Sequence, residues 1–125
     1  MYHITAEDEK KLATLSPFQQ AILRILAEVP KGKVTTYGDL ARELSRRNPK
    51  YSPNASRAVG TTMRNNVCGP YIPCHRVIKS DGSIGNFRGG EPGAVDEKIK
   101  MLRAEGVEVF KGKIKLKFYS HKFQS

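Results

Sequence analysis

One stretch near the N-terminal end has clear helix boundaries and a helical apolar period. Ser16 and Pro17 form a helix start, and Gln19, three residues after the serine, completes a capping-box pattern. Pro30 and Gly32 end the pattern. Between them, apolar residues recur at helical spacing, namely Phe18, Ala21, Ile22, Ile25, Leu26 and Val29. The segment therefore predicts a core helix, which other elements must cover.

Two shorter helices are predicted next. One begins at Thr35 or Thr36, precedes the polar stretch 45–51, and buries Leu40, Ala41 and Leu44. The other begins at Ser52 and Pro53 by the same start signal, and its apolar face comprises Ala55, Ala58, Val59, Thr62 and Met63. Together they form a candidate helix-turn-helix.

The third predicted helix carries small residues between two arginines. Gly60 inside a helix costs up to ~1 kcal/mol relative to alanine, and close approach of the backbone to a groove wall is one reason to tolerate it. Tight packing against the first helix explains the pattern equally well. The small residues are Ala55, Ser56, Ala58, Gly60, Thr61 and Thr62, and the arginines are Arg57 and Arg64.

The C-terminal half predicts less regular structure. Residues 80–82 read as a turn and residues 85–90 as a glycine-rich loop that walls a pocket. Residues 94–105 predict a last amphipathic helix, ended by Gly106, that buries Val95, Ile99 and Leu102. The lysine-rich tail predicts a small hairpin or loose order. The predicted fold is mainly α, a winged-helix-like helix-turn-helix domain with short β segments near the C-terminus.

Length and charge restrict the class of protein. The 125 residues fit one domain, 1–125, with its own core. The net charge of +10 favours a polyanionic partner, because cations that contact phosphates release counterions. Charge alone does not distinguish DNA from RNA, acidic lipid or a merely soluble basic surface.

The chain has neither an apolar run long enough to span a membrane nor the apolar stretch of a signal peptide. Two cysteines, Cys68 and Cys74, fit a reducing compartment better than a disulfide framework. We therefore expect a cytoplasmic protein, or a nuclear one in a eukaryote, without a membrane partner.

The tetrapeptide Pro73-Cys74-His75-Arg76 places a thiol beside a base and a cation. A thiol attacks as thiolate, and neighbouring imidazole and guanidinium groups favour that form at neutral pH. Pro73 stiffens the segment that presents the cysteine. Taken alone the pair also fits a buried structural cysteine, which is the commoner case.

The surrounding motifs resemble the O6-alkylguanine-DNA alkyltransferases. RAVG at 57–60, Asn66 and PCHRV at 73–77 occur at that family's offsets, and the resemblance extends over residues 16–109. It implies DNA repair by a single, irreversible transfer of an alkyl group from O6 of guanine to Cys74, the activity of a methylated-DNA–protein-cysteine S-methyltransferase. The implied partner is double-stranded DNA carrying O6-alkylguanine, bound by a monomer through the minor groove with the damaged base flipped out.

The resemblance also implies residue roles. Cys74 is the nucleophile, activated through a water by His75 and Glu105, and Asn66 ties the recognition helix to the active-site segment. Arg57 fills the stack that the flipped base leaves. Other DNA contacts are implied for Tyr37, Ser56, Ala58, Gly60, Thr61 and Arg64. The pocket for the base is implied to comprise Tyr37, Val77, Phe87 and Arg88.

Several positions depart from the family pattern. Phe87 replaces a usual tyrosine and Arg88 a usual serine, so guanine recognition is expected to differ. The N-terminal domain of many members is absent, and with it any zinc site it carries. Cys68, Cys74 and His75 are too few and too close for a structural zinc site, so neither metal nor cofactor is expected.

Three other functions fit parts of the sequence. Non-catalytic alkyltransferase-like proteins bind lesions but usually replace the cysteine, most often by tryptophan, and this chain has Cys74 and no tryptophan. A helix-turn-helix transcriptional regulator explains the charge and helices but leaves PCHR without a purpose. A cysteine hydrolase needs an oxyanion hole, for which the sequence carries no signal.

Overall fold

The computed structural model describes residues 2–64, 72–85 and 92–123, and these residues form a mainly helical domain, as predicted. Its helices are α1 (Ala6–Leu12), α2 (Pro17–Leu26), α3 (Tyr37–Arg47), α4 (Ser56–Arg64), α5 (Ala94–Ala104) and α6 (Leu116–Tyr119). Two short strands, β1 (Thr35–Thr36) and β2 (Val77–Ile78), pair in parallel, and a 3-10 turn spans Cys74–Arg76. Within the described ranges, no helix has the length and apolar character needed to span a membrane.

Helix α1 was not predicted, although its start signal is local. The Thr5 hydroxyl accepts a hydrogen bond from the Asp8 amide, and the Asp8 carboxylate accepts one from the Thr5 amide. This capping box satisfies two amides at the helix start, and Asp8 is further bonded by the Tyr2 hydroxyl. A threonine three residues before an acidic residue is therefore a signal that sequence reasoning could have used.

Helix α2 has the predicted capping box and lies at the centre of the domain. The Ser16 hydroxyl accepts from the Gln19 amide at 3.2 Å, and the Gln19 side chain accepts from the Ser16 amide. Ile22, Leu23 and Leu26 have no exposed surface, because α3 and α4 pack across this face. The core-helix prediction is confirmed.

Helices α3 and α4 pack together as the predicted helix-turn-helix pair. The Thr36 hydroxyl caps α3 by accepting from the Asp39 amide. The start of α4 was predicted wrongly at Ser52, because the Ser52 hydroxyl accepts from the Asn54 amide two residues on and closes a local turn instead. The helix begins at Ser56, and Ala58, predicted on its apolar face, is exposed.

The two strands separate two apolar clusters. The register pairs Thr35 with Val77 and Thr36 with Ile78. Successive strand residues point to opposite sides, so Val77 lies in the cluster of α2, α3 and α4, whereas Ile78 lies in a second cluster. The buried members of that second cluster are Val34, Ile78, Ile84, Leu102, Val107, Val109 and Ile114.

Helix α5 ends as predicted, with Glu105 as its cap residue and Gly106 at φ +89°. Its buried face was partly misplaced, because Val95 is 38% exposed. The buried residues are Ala94, Lys98 and Leu102. The spacing of these three is i, i+4, i+8, the stripe that faces a core.

The tail is more ordered than a loose end. Isolated bridges join Phe110 to Lys113 and Ser83 to Lys113, and a third joins Val34 to Ser120. Among the described residues, β structure near the C-terminus thus consists of these bridges, while the paired strands lie earlier in the chain.

Candidate active site

Cys74 lies in the turn that leads into β2. Its side chain is partly buried and packs against the first apolar cluster, and the turn is closed by the Arg76 amide donating to the Pro73 carbonyl at 3.0 Å. The backbone here is a 3-10 turn. In a 3-10 turn neighbouring side chains diverge by about 120°, so Cys74 and His75 still project in different directions.

His75 is buried and contacts Glu105, as the resemblance implied. The Nε2 atom of His75 lies 3.0 Å from Oε2 of Glu105, whose side chain is 12% exposed. Burial alone would raise the pKa of Glu105, but hydrogen bonds from Arg76 and His75 outweigh it and hold the pKa below its usual range. Glu105 is therefore a carboxylate that accepts a hydrogen bond from the Nε2–H group of His75, which leaves the lone pair of the imidazole on Nδ1.

Burial also determines the charge of His75 itself. Loss of hydration lowers the pKa of His75 below its usual value, and the hydrogen bond to Glu105 offsets this only in part. The imidazole is therefore neutral at pH 7 and able to accept a proton at Nδ1.

Arg76 binds Glu105 in a two-point contact. Its Nε donates to Oε1 at 2.9 Å and its Nη2 to Oε2 at 2.6 Å, while Nη1 donates to the Val29 carbonyl at 2.8 Å. Arg76 thus joins the end of α5 to the segment after α2. Sequence reasoning assigned its charge to the thiol, whereas its guanidinium instead fixes the carboxylate that orients His75.

Lys98 is the functional candidate that sequence reasoning missed. The side chain has no exposed surface, and its Nζ donates to the Ile84 carbonyl at 2.6 Å. Burial lowers the pKa of Lys98 to about 8, although the negative charge of Cys74 acts in the opposite direction. A lysine on an amphipathic helix normally faces solvent, but its spacing from Ala94 and Leu102 could have indicated burial.

Tyr37 and Gly85 complete the surroundings of the cysteine. Burial, aided by the charge of Cys74, raises the pKa of Tyr37, so its hydroxyl remains a donor near the sulfur. Gly85 has φ +74°, and a Cβ there would lie 3.6 Å from the Tyr37 hydroxyl and 3.2 Å from Lys79 Cγ. Glycine at this position keeps space beside the Tyr37 hydroxyl open.

The predicted DNA-contacting face of α4 is open. Val59 and Thr62 face the core, whereas the exposed residues are Ser56, Arg57, Ala58, Thr61 and Arg64. A Cβ on Gly60 would meet no atom of the described residues within 4 Å. Packing against those residues therefore does not explain Gly60, and the close approach of a groove wall stays a prediction.

The remaining predicted site residues are placed differently. Val77 is fully buried in the first apolar cluster, so its side chain belongs to the core. Asn66, Phe87 and Arg88 lie outside the described residues. Among the residues that are described, no group of three or more His, Cys, Asp or Glu side chains is arranged to hold a metal ion.

These features define a class of protein: a helix-turn-helix domain whose second helix is open and whose cysteine adjoins a buried charged cluster. The chain belongs to the family described as 6-O-methylguanine DNA methyltransferase, DNA binding domain, which matches residues 17–107. The family predicted from the motifs is confirmed.

Two similar proteins and a solved structure agree with this family assignment. The chain is 43% identical over 95 residues to a bifunctional methyltransferase/endonuclease of Picrophilus torridus, covering 76% of this chain and 28% of that protein. It is 38% identical over 91 residues to a methylated-DNA–protein-cysteine methyltransferase of Shigella flexneri, covering 73% of this chain and 47% of that protein. It thus spans less than half the length of either. The crystal structure of S. pombe Atl1 in complex with damaged DNA containing O6-carboxymethylguanine superposes with a TM-score of 0.69 at 31% identity, covering 86% of this chain and 97% of that one.

Proposed function

We propose that this chain repairs O6-alkylguanine in DNA by transferring the alkyl group irreversibly to Cys74. In this reaction the thiolate sulfur forms a bond to the alkyl carbon and the bond from that carbon to O6 breaks. The electron pair leaves with guanine, which then takes up a proton. One arrangement carries the proposal: His75, next to Cys74 in the chain, is held by the carboxylate of Glu105, and the charge of Cys74 acts on both Lys98 and Tyr37. A buried structural thiol needs none of these groups.

The buried cluster supplies the thiolate. Neutral His75 takes the Cys74 proton at Nδ1 through a bridging water, since the two side chains diverge. The imidazolium that forms is stabilised by Glu105, which already accepts a hydrogen bond from the Nε2–H group. The Lys98 ammonium lies in the same buried region and offsets the negative charge on sulfur.

Helix α4 brings the lesion to the thiol. Its exposed small residues let the backbone approach the floor of the minor groove, and Arg57 replaces the base that is flipped out. The role that the resemblance implies for Asn66, joining this helix to the active-site segment, is part of the proposal. The flipped guanine enters beside Tyr37, with Phe87 and Arg88 as the other proposed pocket residues; Val77, which is buried in the core, is no longer included.

A second candidate function is lesion binding without transfer. One observation favours it: the match to S. pombe Atl1 covers 97% of that chain, whereas the Picrophilus torridus and Shigella flexneri relatives are covered to less than half. Cys74 and its charged neighbours favour transfer, because binding alone does not require a reactive thiol.

Intact-mass measurement distinguishes the two functions. The protein is incubated with one equivalent of duplex carrying O6-methylguanine, and we expect it to gain one methyl group that maps to Cys74. Cys74→Ala is the matched control and should gain nothing. Tight lesion-specific binding with no mass gain would establish the lesion-binding function instead, and repeated turnover by a trace of protein would contradict a single-use transfer.

A further inference from the structure

The tail carries positive charge that exceeds the acidic charge around it among the described residues, where Asp81 is the carboxylate that interacts with Lys113. The lysine segment, residues 110–118, contains Lys111, Lys113, Lys115 and Lys117 and no acidic residue. None of the ion pairs between described residues involves these four lysines. Like charges this close repel one another, so a bound polyanion would relieve the repulsion.

The arginines of α2 and α3 show the opposite arrangement. Arg24 binds Glu9, Arg42 binds Asp39, and Arg47 binds both Glu28 and Glu43. Carboxylates of the same chain neutralise these guanidinium groups and occupy their hydrogen-bond donors, so they are less available to bind a phosphate. The contrast shows that the charge on the lysine segment is not simply the general basicity of this protein.

The lysine segment is held in place from both sides. The Ile114 amide donates to the Gly82 carbonyl at 2.8 Å, and the Ile84 amide donates to the Gly112 carbonyl at 3.1 Å. At the end of α6, the Val34 amide donates to the Tyr119 carbonyl, and the His121 amide donates to the Val34 carbonyl, each at 2.8 Å. Because the backbone is already ordered, its lysines bind a partner with less loss of conformational entropy than a free tail.

Two large aromatic rings are exposed among these lysines. Phe110 is 74% exposed and Phe118 is 58% exposed. The Lys111 ammonium lies 5.4 Å from the Phe110 ring centre, and that of Lys117 lies 5.1 Å from the Phe118 ring centre. Exposed rings interleaved with lysines are the composition of surfaces that bind nucleic acid through phosphates and ring faces.

The lysine segment is also linked to the reactive site. The bridge between Ser83 and Lys113 joins it to the strand and turn that follow Cys74. The segment begins beyond residue 107, where the family match ends, so it adds to the shared DNA-binding domain. We infer that the lysine segment is a second DNA-contacting surface, which binds backbone phosphates of the duplex whose lesion α4 presents to Cys74. The inference rests on the proposed function, because that function supplies the duplex.

The salt dependence of binding tests this surface. The full chain and the variant K113Q/K115Q/K117Q are titrated with a duplex containing O6-methylguanine at several salt concentrations. We expect the slope of log Kd against log salt to fall by about two to three units, roughly one for each phosphate that the variant no longer binds. The matched control K10Q/K11Q/K100Q removes the same charge from α1 and α5 and should lose less than about one unit.

Further variants separate charge from packing. K113R/K115R/K117R keeps the charge and should keep the wild-type slope. If the glutamine variant melts well below wild type, the three single substitutions are compared, and each should lose about one unit of slope. An unchanged slope in the glutamine variant, an equal loss in the control variant, or a loss in the arginine variant overturns the inference.

Two additional measurements separate DNA binding by the lysine segment from alkyl transfer and from membrane binding. The intact mass of the wild-type protein after incubation with the same duplex tests the proposed alkyl transfer separately. If the protein is not alkylated but the salt slopes are as expected, the proposed transfer is wrong and the DNA-binding role of the lysine segment stands. Vesicles of phosphatidylserine and phosphatidylcholine provide the second measurement. Binding to them that depends on the three lysines, with an unchanged DNA slope, assigns the surface to membrane and overturns the inference.

Discussion

The cluster beside Cys74 and the outer face of α4 handle charge in opposite ways. In the cluster, Glu105 receives hydrogen bonds from both His75 and Arg76, and all three side chains are largely buried. On α4, Arg57 and Arg64 are exposed and take part in none of the ion pairs between described residues. Paired buried charges hold protonation states constant, whereas unpaired surface charges are available to phosphates.

The two helices of the helix-turn-helix repeat this difference. Both are rich in arginine, but Arg46 and Arg47 of α3 bind Glu43, which is nearly buried. Helix α4 contains no acidic residue. The net charge of the sequence therefore overstates how much positive charge is available on the surface. Substitutions in the cluster beside Cys74 should change the reaction, whereas substitutions on the outer face of α4 should change DNA binding.

Removing the thiol should have the largest effect. Cys74→Ala should abolish alkyl transfer to the protein while leaving duplex affinity within a few-fold, because phosphate contacts supply most of the affinity. Intact mass and fluorescence anisotropy measure the two quantities on one sample. Residual transfer would mean that the nucleophile is misassigned.

Breaking the buried ion pair should cost stability as well as rate. Glu105→Gln leaves Arg76 without its carboxylate and should lower the free energy of unfolding by about 3 kcal/mol or more. The pKa of Glu105 is below its usual value of 4.5, so its stabilisation is complete above about pH 4.5 and is lost as pH falls through the folded-state pKa.

Urea unfolding between pH 7 and pH 3 checks this prediction, since the variant should lack that acid dependence. Glu7→Gln is the matched control, because Glu7 is exposed and lies 3.9 Å from Lys10. Equal destabilisation by both substitutions would contradict a special role for the buried pair.

Lys98 should give stability a distinctive alkaline dependence. The unfolded chain holds the Lys98 proton up to about pH 10.5, whereas the folded chain releases it near pH 8. The unfolded state therefore binds more protons between these values, and stability should rise with pH by roughly 3 kcal/mol relative to Lys98→Met.

Unfolding free energies at pH 8, 9 and 10 test this rise. Lys100→Met, at an exposed position on the same helix, should keep the wild-type dependence. If Lys98→Met follows the wild-type curve, the ammonium is not buried in the way the structure shows. The Lys98→Met variant should also transfer the alkyl group more slowly at neutral pH.

Arg57 should matter only when a base must be flipped. Arg57→Ala is expected to slow repair of duplex by about tenfold at saturating protein, since flipping costs a few kcal/mol for unstacking and unpairing. Free O6-benzylguanine needs no flipping and should react at the wild-type rate. Arg64→Ala is the comparison, because removal of a phosphate contact should raise Kd without changing the saturated rate; equal slowing of both substrates would contradict the role of Arg57.

The smallest expected effect concerns two adjacent threonines. The Thr35 hydroxyl is buried and has no hydrogen-bond partner among the described residues, so Thr35→Val should raise the free energy of unfolding by about 1 kcal/mol. Thr36 caps α3, so Thr36→Val should lower it by about 1 kcal/mol. Thermal melts of both variants test this prediction. If both substitutions shift the melting temperature in the same direction, the roles given to the two hydroxyls are wrong.

Sequence signals that act over three or four residues predicted the fold well. The Ser16 and Gln19 box, the Thr36 cap and Gly106 all lie at helix ends as expected, because each forms its hydrogen bond or turn locally. The failures have different causes. Ser52 has the same start signal as Ser16 but closes a local turn, whereas Val95 fits the apolar period of its helix and yet stays 38% exposed.

The sequence by itself determined the family, through RAVG and PCHRV, because the order of residues in a motif needs no tertiary information. Only the tertiary structure decided how Cys74, the proposed nucleophile, is surrounded. His75 and Arg76 meet Glu105 across about thirty residues of chain, and Arg76 reaches Val29 from still further away. Burial of Lys98 likewise depends on the elements that cover α5. Such contacts depend on how distant segments pack, and packing changes the free energy of a charge far more than its neighbours in sequence do.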